Sequence, residues 1–212
     1  MGMSIMEIKV KKNEYPELFS WKELENLVNI RPLMNSDKVN IIGAGSFSWQ
    51  NDYWALDKNC YPPSLLRSLM DSHLCYFSNM SRATEKINDL AYSIESEYKS
   101  ACDAHIYICK NPNIEHPFGI HCDVNHNIIV QCEGISNFKV WNFTIDKSDE
   151  NRSDLSIKEK PYLDVTMNPG DSIYIPAYVP HLVESKTSRL SVSFAFSYER
   201  SNFFQDRTWV RL

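Results

Sequence analysis

The sequence predicts a mainly β fold, an antiparallel sandwich or barrel, preceded by an α-rich N-terminal part. Two observations lead to this prediction. Up to residue 102 the apolar residues recur mostly at helical spacing, whereas after residue 103 they alternate with a period of two in six short runs. The runs are separated by turn residues and by no helical crossover, which indicates antiparallel pairing. We expect residues 1–102 to form a helical arm with short strands that packs on a barrel of residues 103–212, as one compact unit.

Composition is that of an ordinary globular domain. The chain has 212 residues, 43% apolar and 23% charged, which excludes disordered, collagenous and low-complexity classes. The net charge of −5 and the lack of a basic patch argue against a nucleic-acid partner. No secretory leader or run of transmembrane length is visible, so we expect a soluble, cytoplasmic protein whose six cysteines are buried reduced thiols.

Three helices are predicted in the first hundred residues. The first covers 21–30 behind Ser20, which forms a capping box with Glu23. The second opens at the proline pair 62–63, because proline suits the first helical turn. The third covers 82–100 and has the clearest apolar stripe.

The predicted strands are short runs of alternating character. One weak strand, 38–42, falls in the arm; the others are 105–109, 127–132, 138–143, 162–166, 172–175 and 189–196. Turn residues separate them at Glu133-Gly134, in the charged stretch 146–160, and at Asn168-Pro169-Gly170-Asp171. The last of these predicts a type II turn with Gly170 at the position of positive φ.

Two histidines and one aspartate are the candidate metal ligands. His121 and Asp123 are two residues apart, so on a strand both side chains project from the same face. His181 follows the turn that contains Gly170 and the next strand. Two imidazoles and one carboxylate on one face of an octahedron leave three positions open, which suits Fe(II), Mn(II) or Ni(II) better than a closed zinc site. An HxD pair with a distant histidine also arises by chance, so the surrounding residues decide.

The surrounding residues resemble the JmjC or cupin-like 2-oxoglutarate oxygenases, the group that contains asparaginyl and ribosomal-protein hydroxylases. As in that family, the HxD pair is followed by Asn127, Gln131, Gly134 and the run Phe138-Lys139-Val140-Trp141, and 167–181 is similar to the PGD strand that leads to the distal histidine. The resemblance covers about residues 103–198. It implies a double-stranded β-helix (a cupin or jelly-roll barrel) in which His121, Asp123 and His181 hold Fe(II), with 2-oxoglutarate as co-substrate and O2 as oxidant.

The resemblance also requires a cation for the distal carboxylate of 2-oxoglutarate, because a buried carboxylate needs a charge partner. Several JmjC hydroxylases place a lysine where this chain has Ser136, so the sequence departs from that pattern. Arg189 and Ser191 are instead similar to the Arg-x-Ser pair by which other 2-oxoglutarate oxygenases hold this carboxylate. A surface arginine on an edge strand is the alternative. Tyr107 and Asn127 are predicted as further cofactor-binding donors, with ordinary polar core residues as the alternative.

Other aromatic and basic side chains are assigned outside the metal site. His105, His116 and His126 are predicted not to be ligands, and Lys139 is predicted to face outward because its strand parity differs from that of Ser136. The aromatic stretch 47–54 either lines a substrate wall or caps the barrel, and we favour the cap.

By resemblance, the function is Fe(II)- and 2-oxoglutarate-dependent hydroxylation of a C–H bond in a peptide or protein side chain or a small molecule, with succinate and CO2 as co-products. Demethylation is a minor alternative. The acidic balance, and a length that we expect to leave no room for the C-terminal modules of ribosomal oxygenases, argue against a ribosomal target. The rival class is a metal-binding cupin that does not use 2-oxoglutarate: an isomerase, another dioxygenase or a small-molecule-binding module. Ser136 favours the rival, and Arg189 with Ser191 favours the oxygenase.

Overall fold

The computed structural model describes residues 7–30, 38–42, 61–113, 118–149 and 152–197. Within these ranges the helices are α1 (Trp21–Val28), α2 (Pro63–Ser72) and α3 (Glu85–Tyr98). The strands are β1 (Lys9–Lys11), β2 (Val39–Ile42), β3 (Leu74–Phe77), β4 (Cys102–Cys109), β5 (His126–Glu133), β6 (Ser136–Val140), β7 (Leu163–Met167), β8 (Ser172–Ile175), β9 (His181–Ser185) and β10 (Arg189–Phe196).

The strands form two antiparallel sheets that face each other. The large sheet has the order β1-β8-β5-β10-β4-β3-β2, and the small sheet has the order β7-β6-β9. Because consecutive strands cross between the sheets, the architecture is the predicted double-stranded β-helix, mainly β with an α-rich N-terminal part. None of the helices in the described ranges has the length and apolar character that spanning a membrane requires.

Alternation along β10 separates the two faces of the large sheet. Leu190 and Val192 belong to the core beneath the helices, whereas Arg189 and Ser191 line a cavity between the two sheets. Apolar residues of β5 to β9 form a second, smaller core between the sheets. Because successive side chains of β10 point to opposite faces, the strand supplies apolar residues to the core on one side and polar residues to the cavity on the other.

The helices cover the outer face of the large sheet for reasons visible in the sequence. In α1 the predicted capping box is confirmed: the N–H of Ser20 donates to the Glu23 carboxylate at 2.8 Å, and the Ser20 Oγ accepts from the N–H of Glu23 at 3.3 Å. In α3 the stripe that includes Ile87 and Ile94 is buried and packs toward β4. Burial of one apolar face stabilises helices of this length, which are marginal in isolation.

Three strands, β1, β3 and β9, were not predicted, and two of them, β1 and β3, join the N-terminal part to the large sheet. β1 pairs with β8 at one edge of the large sheet, and β2 and β3 extend its other edge from β4. β9 carries His181 at its first position. Residues of the predicted arm thus contribute strands to the large sheet, and the division of the chain at residue 102 stays a prediction.

Strand ends and turns mostly follow the predicted chemistry. β8 and β10 have the predicted bounds, while the predicted strand 138–143 was wrong at both ends, because β6 runs from Ser136 to Val140. Gly170 has a φ of +90° and Gly134 a φ of +71°, as turns after β7 and β5 require. A Cβ atom on Gly134 would meet the backbone oxygen of Ser188 at 1.7 Å. All five cysteines in the described ranges are buried and free, as predicted; Cys60 lies outside those ranges.

Candidate metal centre

His121, Asp123 and His181 come together between the two sheets. Their candidate ligand atoms lie within 4.8 Å of one another. The Nε2 atom of His181 is 3.7 Å from the Oδ2 atom of Asp123, and the two imidazole rings have centroids 4.3 Å apart. Metal bonds to such atoms are about 2.0–2.2 Å long, so small side-chain rotations bring all three onto one ion. The structure thus brings the three predicted ligands together, and their role as metal ligands stays a prediction.

Backbone carbonyls fix the orientation of both imidazoles. The Nδ1 atom of His121 lies 3.2 Å from the oxygen of Gly119, and the Nδ1 atom of His181 lies 3.1 Å from the oxygen of Val179. Because a carbonyl only accepts, each Nδ1 carries the proton and each Nε2 keeps its lone pair. Burial, with His181 beside it, lowers the pKa of His121 to about 4. A neutral His121 imidazole is in the form that binds a metal ion.

The segment 118–123, which we call the HxD segment, is not the regular strand that the sequence predicted. It meets β9 in one isolated bridge, where His121 and His181 exchange backbone hydrogen bonds of 3.0 and 2.7 Å. Gly119 has a φ of +53°, which a regular strand does not accommodate. Asp123 lies beyond the bridge, and its carbonyl accepts from the N–H of Tyr178 at 2.7 Å. Tertiary contacts rather than strand periodicity bring His121 and Asp123 to one side.

Asn127 contacts a candidate ligand. Its Nδ2 atom donates to the Oδ2 atom of Asp123 at 2.7 Å, and its Oδ1 atom accepts from the hydroxyl of Ser193 at 3.0 Å. Asn127 and Ser193 are both buried. The chain Ser193–Asn127–Asp123 therefore fixes the orientation of the Asp123 carboxylate, whose Oδ2 atom faces His181. The predicted contact of Asn127 with a co-substrate stays a prediction.

A cavity between the sheets begins at the three candidate ligands. Apart from them it is lined by Tyr107, Phe118, Ile129, Phe138, Val183, Arg189, Ser191 and Ser193. The predicted site residues Tyr107, Arg189 and Ser191 are thus together. The apolar lining was not predicted, although strand parity indicates part of it. Ile129 lies two residues after Asn127 on β5, so both side chains face the same side of the sheet.

Arg189 is a buried cation on the wall of this cavity. It is 3% exposed, so the alternative of a surface arginine is wrong. Within the described part of the chain, its Nε and Nη1 atoms have no hydrogen-bond partner. Burial lowers its pKa, yet a guanidinium stays charged in proteins. An unneutralised buried charge is costly, so an anion at these two nitrogen atoms would stabilise it.

Two hydroxyl groups accompany this cation. Ser191 lies two residues along β10 and is buried. Tyr107 is the cross-strand partner of Ser191 on β4, and its ring stacks on Tyr76 with centroids 5.5 Å apart. Burial raises the pKa of Tyr107, so its phenol keeps the proton and can donate it in a hydrogen bond. The cavity wall thus combines one cation with neutral donors.

Ser136, at the position where the resemblance leads us to expect a lysine, offers no cation. It is 0% exposed, and its hydroxyl donates to the Oε1 atom of Gln131 at 2.6 Å. Lys139 faces away from the cavity, as predicted, and pairs with Glu184 at 3.1 Å. Arg189 is therefore the cation that the described residues place on the cavity wall.

The remaining candidates stand outside this centre. His105 pairs with Asp103 at 3.1 Å, and the Nδ1 atom of His126 lies 2.8 Å from the Tyr174 hydroxyl. Neither joins the three candidate ligands, as predicted. His116 and the aromatic stretch 47–54 lie outside the described residues.

Comparison with known proteins agrees with this architecture. The family model of the JmjC domain matches residues 77–204. The X-ray structure of ycfD from E. coli superposes with a TM-score of 0.60 at 17% identity, covering 90% of this chain and 49% of that chain. A structure of YcfD, a ribosomal oxygenase from Escherichia coli, in complex with cobalt and 2-oxoglutarate gives a TM-score of 0.58 at 18% identity, covering 90% and 48%.

These solved structures are similar in fold, and this chain spans about half of their length. A search of curated proteins finds no match. The sequence argued against a ribosomal target, whereas these neighbours carry the name of a ribosomal oxygenase. At such low identity the likeness concerns the fold and leaves the substrate of this chain open.

Proposed function

The chain belongs to the JmjC domain family, and on that premise we propose that it is an Fe(II)- and 2-oxoglutarate-dependent oxygenase. It hydroxylates a C–H bond of its substrate and releases succinate and CO2. The observation that carries this proposal is Arg189, a buried guanidinium whose Nε and Nη1 atoms have no hydrogen-bond partner among the described residues, and which lines the same cavity as His121, Asp123 and His181. A cavity with a metal site at one end and a cation along its wall suits a chelating dicarboxylate.

The donor set fits iron. His121 and His181 each offer an imidazole nitrogen, and Asp123 offers a carboxylate oxygen, with these atoms within 4.8 Å of one another. Two nitrogens and one oxygen leave open positions, which non-haem Fe(II) oxygenases need for co-substrate and O2. Bound Fe(II) supplies the activation of O2 that the C–H oxidation requires. The structural neighbour was crystallised with cobalt and 2-oxoglutarate, a combination compatible with the same assignment here.

The cavity residues bind and orient 2-oxoglutarate. Arg189 would hold the distal carboxylate through charge-assisted N–H donors, and the Ser191 hydroxyl, on the same cavity wall, would add a neutral donor. Tyr107 offers a phenol proton from the neighbouring strand. Phe138 and Val183, which also line the cavity, exclude water, so these charged hydrogen bonds act in a low dielectric. The residues thus fix the co-substrate at both ends before the substrate arrives.

We propose a peptide or protein side chain as the substrate. The name of the structural neighbours, a ribosomal oxygenase, supports a protein substrate over a free metabolite. The net charge of −5 argues against a nucleic-acid-rich partner. A cytoplasmic location is compatible with the thiols, all free in the described ranges.

One experiment tests the co-substrate assignment. Anaerobic addition of Fe(II) and then 2-oxoglutarate should produce a weak visible charge-transfer band, which His181→Ala should abolish. Arg189→Ala should weaken 2-oxoglutarate binding at least about 100-fold, since two charge-assisted hydrogen bonds are lost. Arg189→Lys, the matched variant, keeps the positive charge without the planar guanidinium. Its 2-oxoglutarate affinity should lie between that of the unchanged protein and that of Arg189→Ala.

The rival function, a metal-binding cupin that does not use 2-oxoglutarate, is favoured by Ser136 at the lysine position. It predicts that the protein binds Fe(II) or Co(II) but that 2-oxoglutarate changes neither the spectrum nor the stability. In the same titration, unchanged 2-oxoglutarate affinity in Arg189→Ala would contradict the role we assign to that residue. Succinate release screened over peptides and metabolites then identifies the substrate.

A further inference from the structure

The β6–β7 loop, residues 141–162, pairs with the HxD segment along its outer edge. The N–H of Leu155 donates to the oxygen of Ile120 at 2.8 Å, and the N–H of Cys122 donates to the oxygen of Arg152 at 2.9 Å. A third bond joins the loop to residue 118 at 3.1 Å. These bonds lie on both sides of His121, so the described part of the loop acts as an irregular neighbouring strand.

The other edge of the HxD segment is held by the residues around the start of β9. There the described residues form a bridge of two backbone bonds between His121 and His181, and the N–H of Tyr178 donates a third bond to the oxygen of Asp123. The described backbone bonds to the HxD segment are therefore three on each side. The loop, although distant in sequence, supplies half of the described backbone bonds that hold the segment with two proposed metal ligands.

Tyr178 joins the loop to the proposed ligand Asp123. Its N–H donates to the oxygen of Asp123 at 2.7 Å, and its own oxygen accepts from the N–H of Ile145 in the loop at 2.8 Å. Its ring has two loop cations, Lys147 and Arg152, each 5.6 Å from the centroid. The φ of Tyr178 is +62°, a strained value for an aromatic residue, which persists only where surrounding contacts hold it.

Arg152 connects both sets of contacts. Its carbonyl accepts from Cys122 in the HxD segment, its guanidinium lies over the ring of Tyr178, and its Nη2 atom donates to the oxygen of Lys147 at 3.1 Å. Gly119 is also fitted to the loop, because a Cβ atom there would meet the Oδ1 atom of Asp154 at 2.5 Å. The loop and the HxD segment are therefore closely packed at residues that are not themselves proposed metal ligands.

We propose that Arg152 and Tyr178 are positioning residues: through the β6–β7 loop they hold His121 and Asp123 in the geometry that binds the metal ion. This inference rests on the proposed function, since it takes the three-residue cluster as a metal site. Groups that orient ligands from behind commonly change metal affinity by about 10–100-fold when removed. Arg152 acts here through the backbone of the ligand segment rather than through the ligands' own side chains.

Co(II) binding to the metal-free protein tests the role of Arg152. Arg152→Ala should weaken the Co(II) affinity by about 10-fold and change the visible absorption of bound Co(II), which reports ligand geometry. Arg152→Lys keeps a cation over the Tyr178 ring and should restore most of the affinity. Lys158→Ala, which removes an exposed charge from the same loop, is the matched control and should bind as the unchanged protein does.

The outcomes separate this inference from the proposed function. If the unchanged protein does not bind Co(II), the proposed metal site itself is wrong. If it binds, and Arg152→Ala retains the same affinity and the same Co(II) spectrum, the metal site stands and the positioning role is overturned.

Hydrogen exchange on the unchanged protein gives a second test that needs no variant to fold. Coupling is reciprocal, so a loop that favours metal binding must itself be stabilised by the metal. Co(II) should therefore slow amide exchange at Cys122 and Leu155, which donate the bonds between loop and HxD segment, more than at amides of α3. Equal effects at both places would refute the coupling.

Discussion

Replacing Arg189 by methionine should stabilise the protein and at the same time abolish its response to 2-oxoglutarate. Arg189 is 3% exposed and its Nε and Nη1 atoms have no partner in the described structure. Without an anion, no described hydrogen bond offsets the desolvation cost at these two nitrogen atoms. Methionine fills a similar volume, adapts to irregular gaps and removes the charge.

The magnitude follows from the burial of the charge. Replacing buried charged groups by apolar residues of similar volume stabilises proteins by up to about 1–4 kcal/mol, so we expect Arg189→Met to raise the free energy of unfolding by about 1–3 kcal/mol. For a chain of this length each kcal/mol raises Tm by about 2–4 °C. The unchanged protein should gain about 2.7 kcal/mol from 2-oxoglutarate at 100 times its Kd, and the variant should gain nothing.

Denaturant unfolding of the metal-loaded protein, with and without 2-oxoglutarate, measures both effects. Arg67→Met is the control, because Arg67 lies on the exposed side of α2 and pairs with Glu25 at the surface; it should change stability by less than about 0.5–1 kcal/mol and leave the 2-oxoglutarate response intact. A destabilised Arg189→Met protein that 2-oxoglutarate still protects would refute the reasoning, since Arg189 would then be paired within the protein.

Three further predictions concern residues around the cavity and its turns. Asn127→Ala should weaken Co(II) binding by about 10-fold in a titration, because it frees the carboxylate of Asp123; unchanged affinity would contradict an orienting role. Gly134→Ala should cost more than about 2 kcal/mol in urea unfolding, since its φ is +71° and its Cβ atom would overlap the oxygen of Ser188; a smaller loss would mean that the turn can move. Burial raises the pKa of Asp171, but hydrogen bonds from Lys12 and from backbone amides outweigh it, and the pKa is lowered. The ionised Asp171 carboxylate therefore stabilises the folded protein above the unfolded pKa of about 3.9. This stabilisation is lost as pH falls through the folded pKa. Asp171→Asn should flatten that acid limb of the stability curve, and an identical pH profile would exclude this contribution.

The sequence predicted the regular parts of the site and missed the irregular ones, for physical reasons. Arg189 and Ser191 lie on β10, a strand with an unbroken period of two, so parity alone placed both on one face. β3 was missed because it is a continuous apolar run that follows α2 with one residue between them, and such a run has no strand periodicity. β9 was missed because it is short and begins at the candidate ligand His181.

The HxD segment shows where periodicity stops being informative. The prediction that His121 and Asp123 share a face was right in outcome but not in cause, since Gly119 takes a positive φ and the backbone forms one bridge. The bonds that hold this segment come from Arg152 and Leu155 in a charged loop with no periodic pattern. Contacts between such segments form only in the folded barrel, so no local sequence pattern predicts them.

The two ends of the cavity are consequently built in different ways. Arg189 lies on β10, which is hydrogen-bonded on both sides, to β4 and β5, in the interior of the large sheet. Asp123 is the last residue of the HxD segment, whose described backbone bonds are one bridge to His181, one bond from Tyr178 and three bonds to the β6–β7 loop. Local opening free energies are lowest where backbone bonds are few. The co-substrate anchor should therefore be rigid without metal while the ligand segment becomes ordered on metal binding, so substitutions near Arg189 change global stability and substitutions near Asp123 change metal affinity.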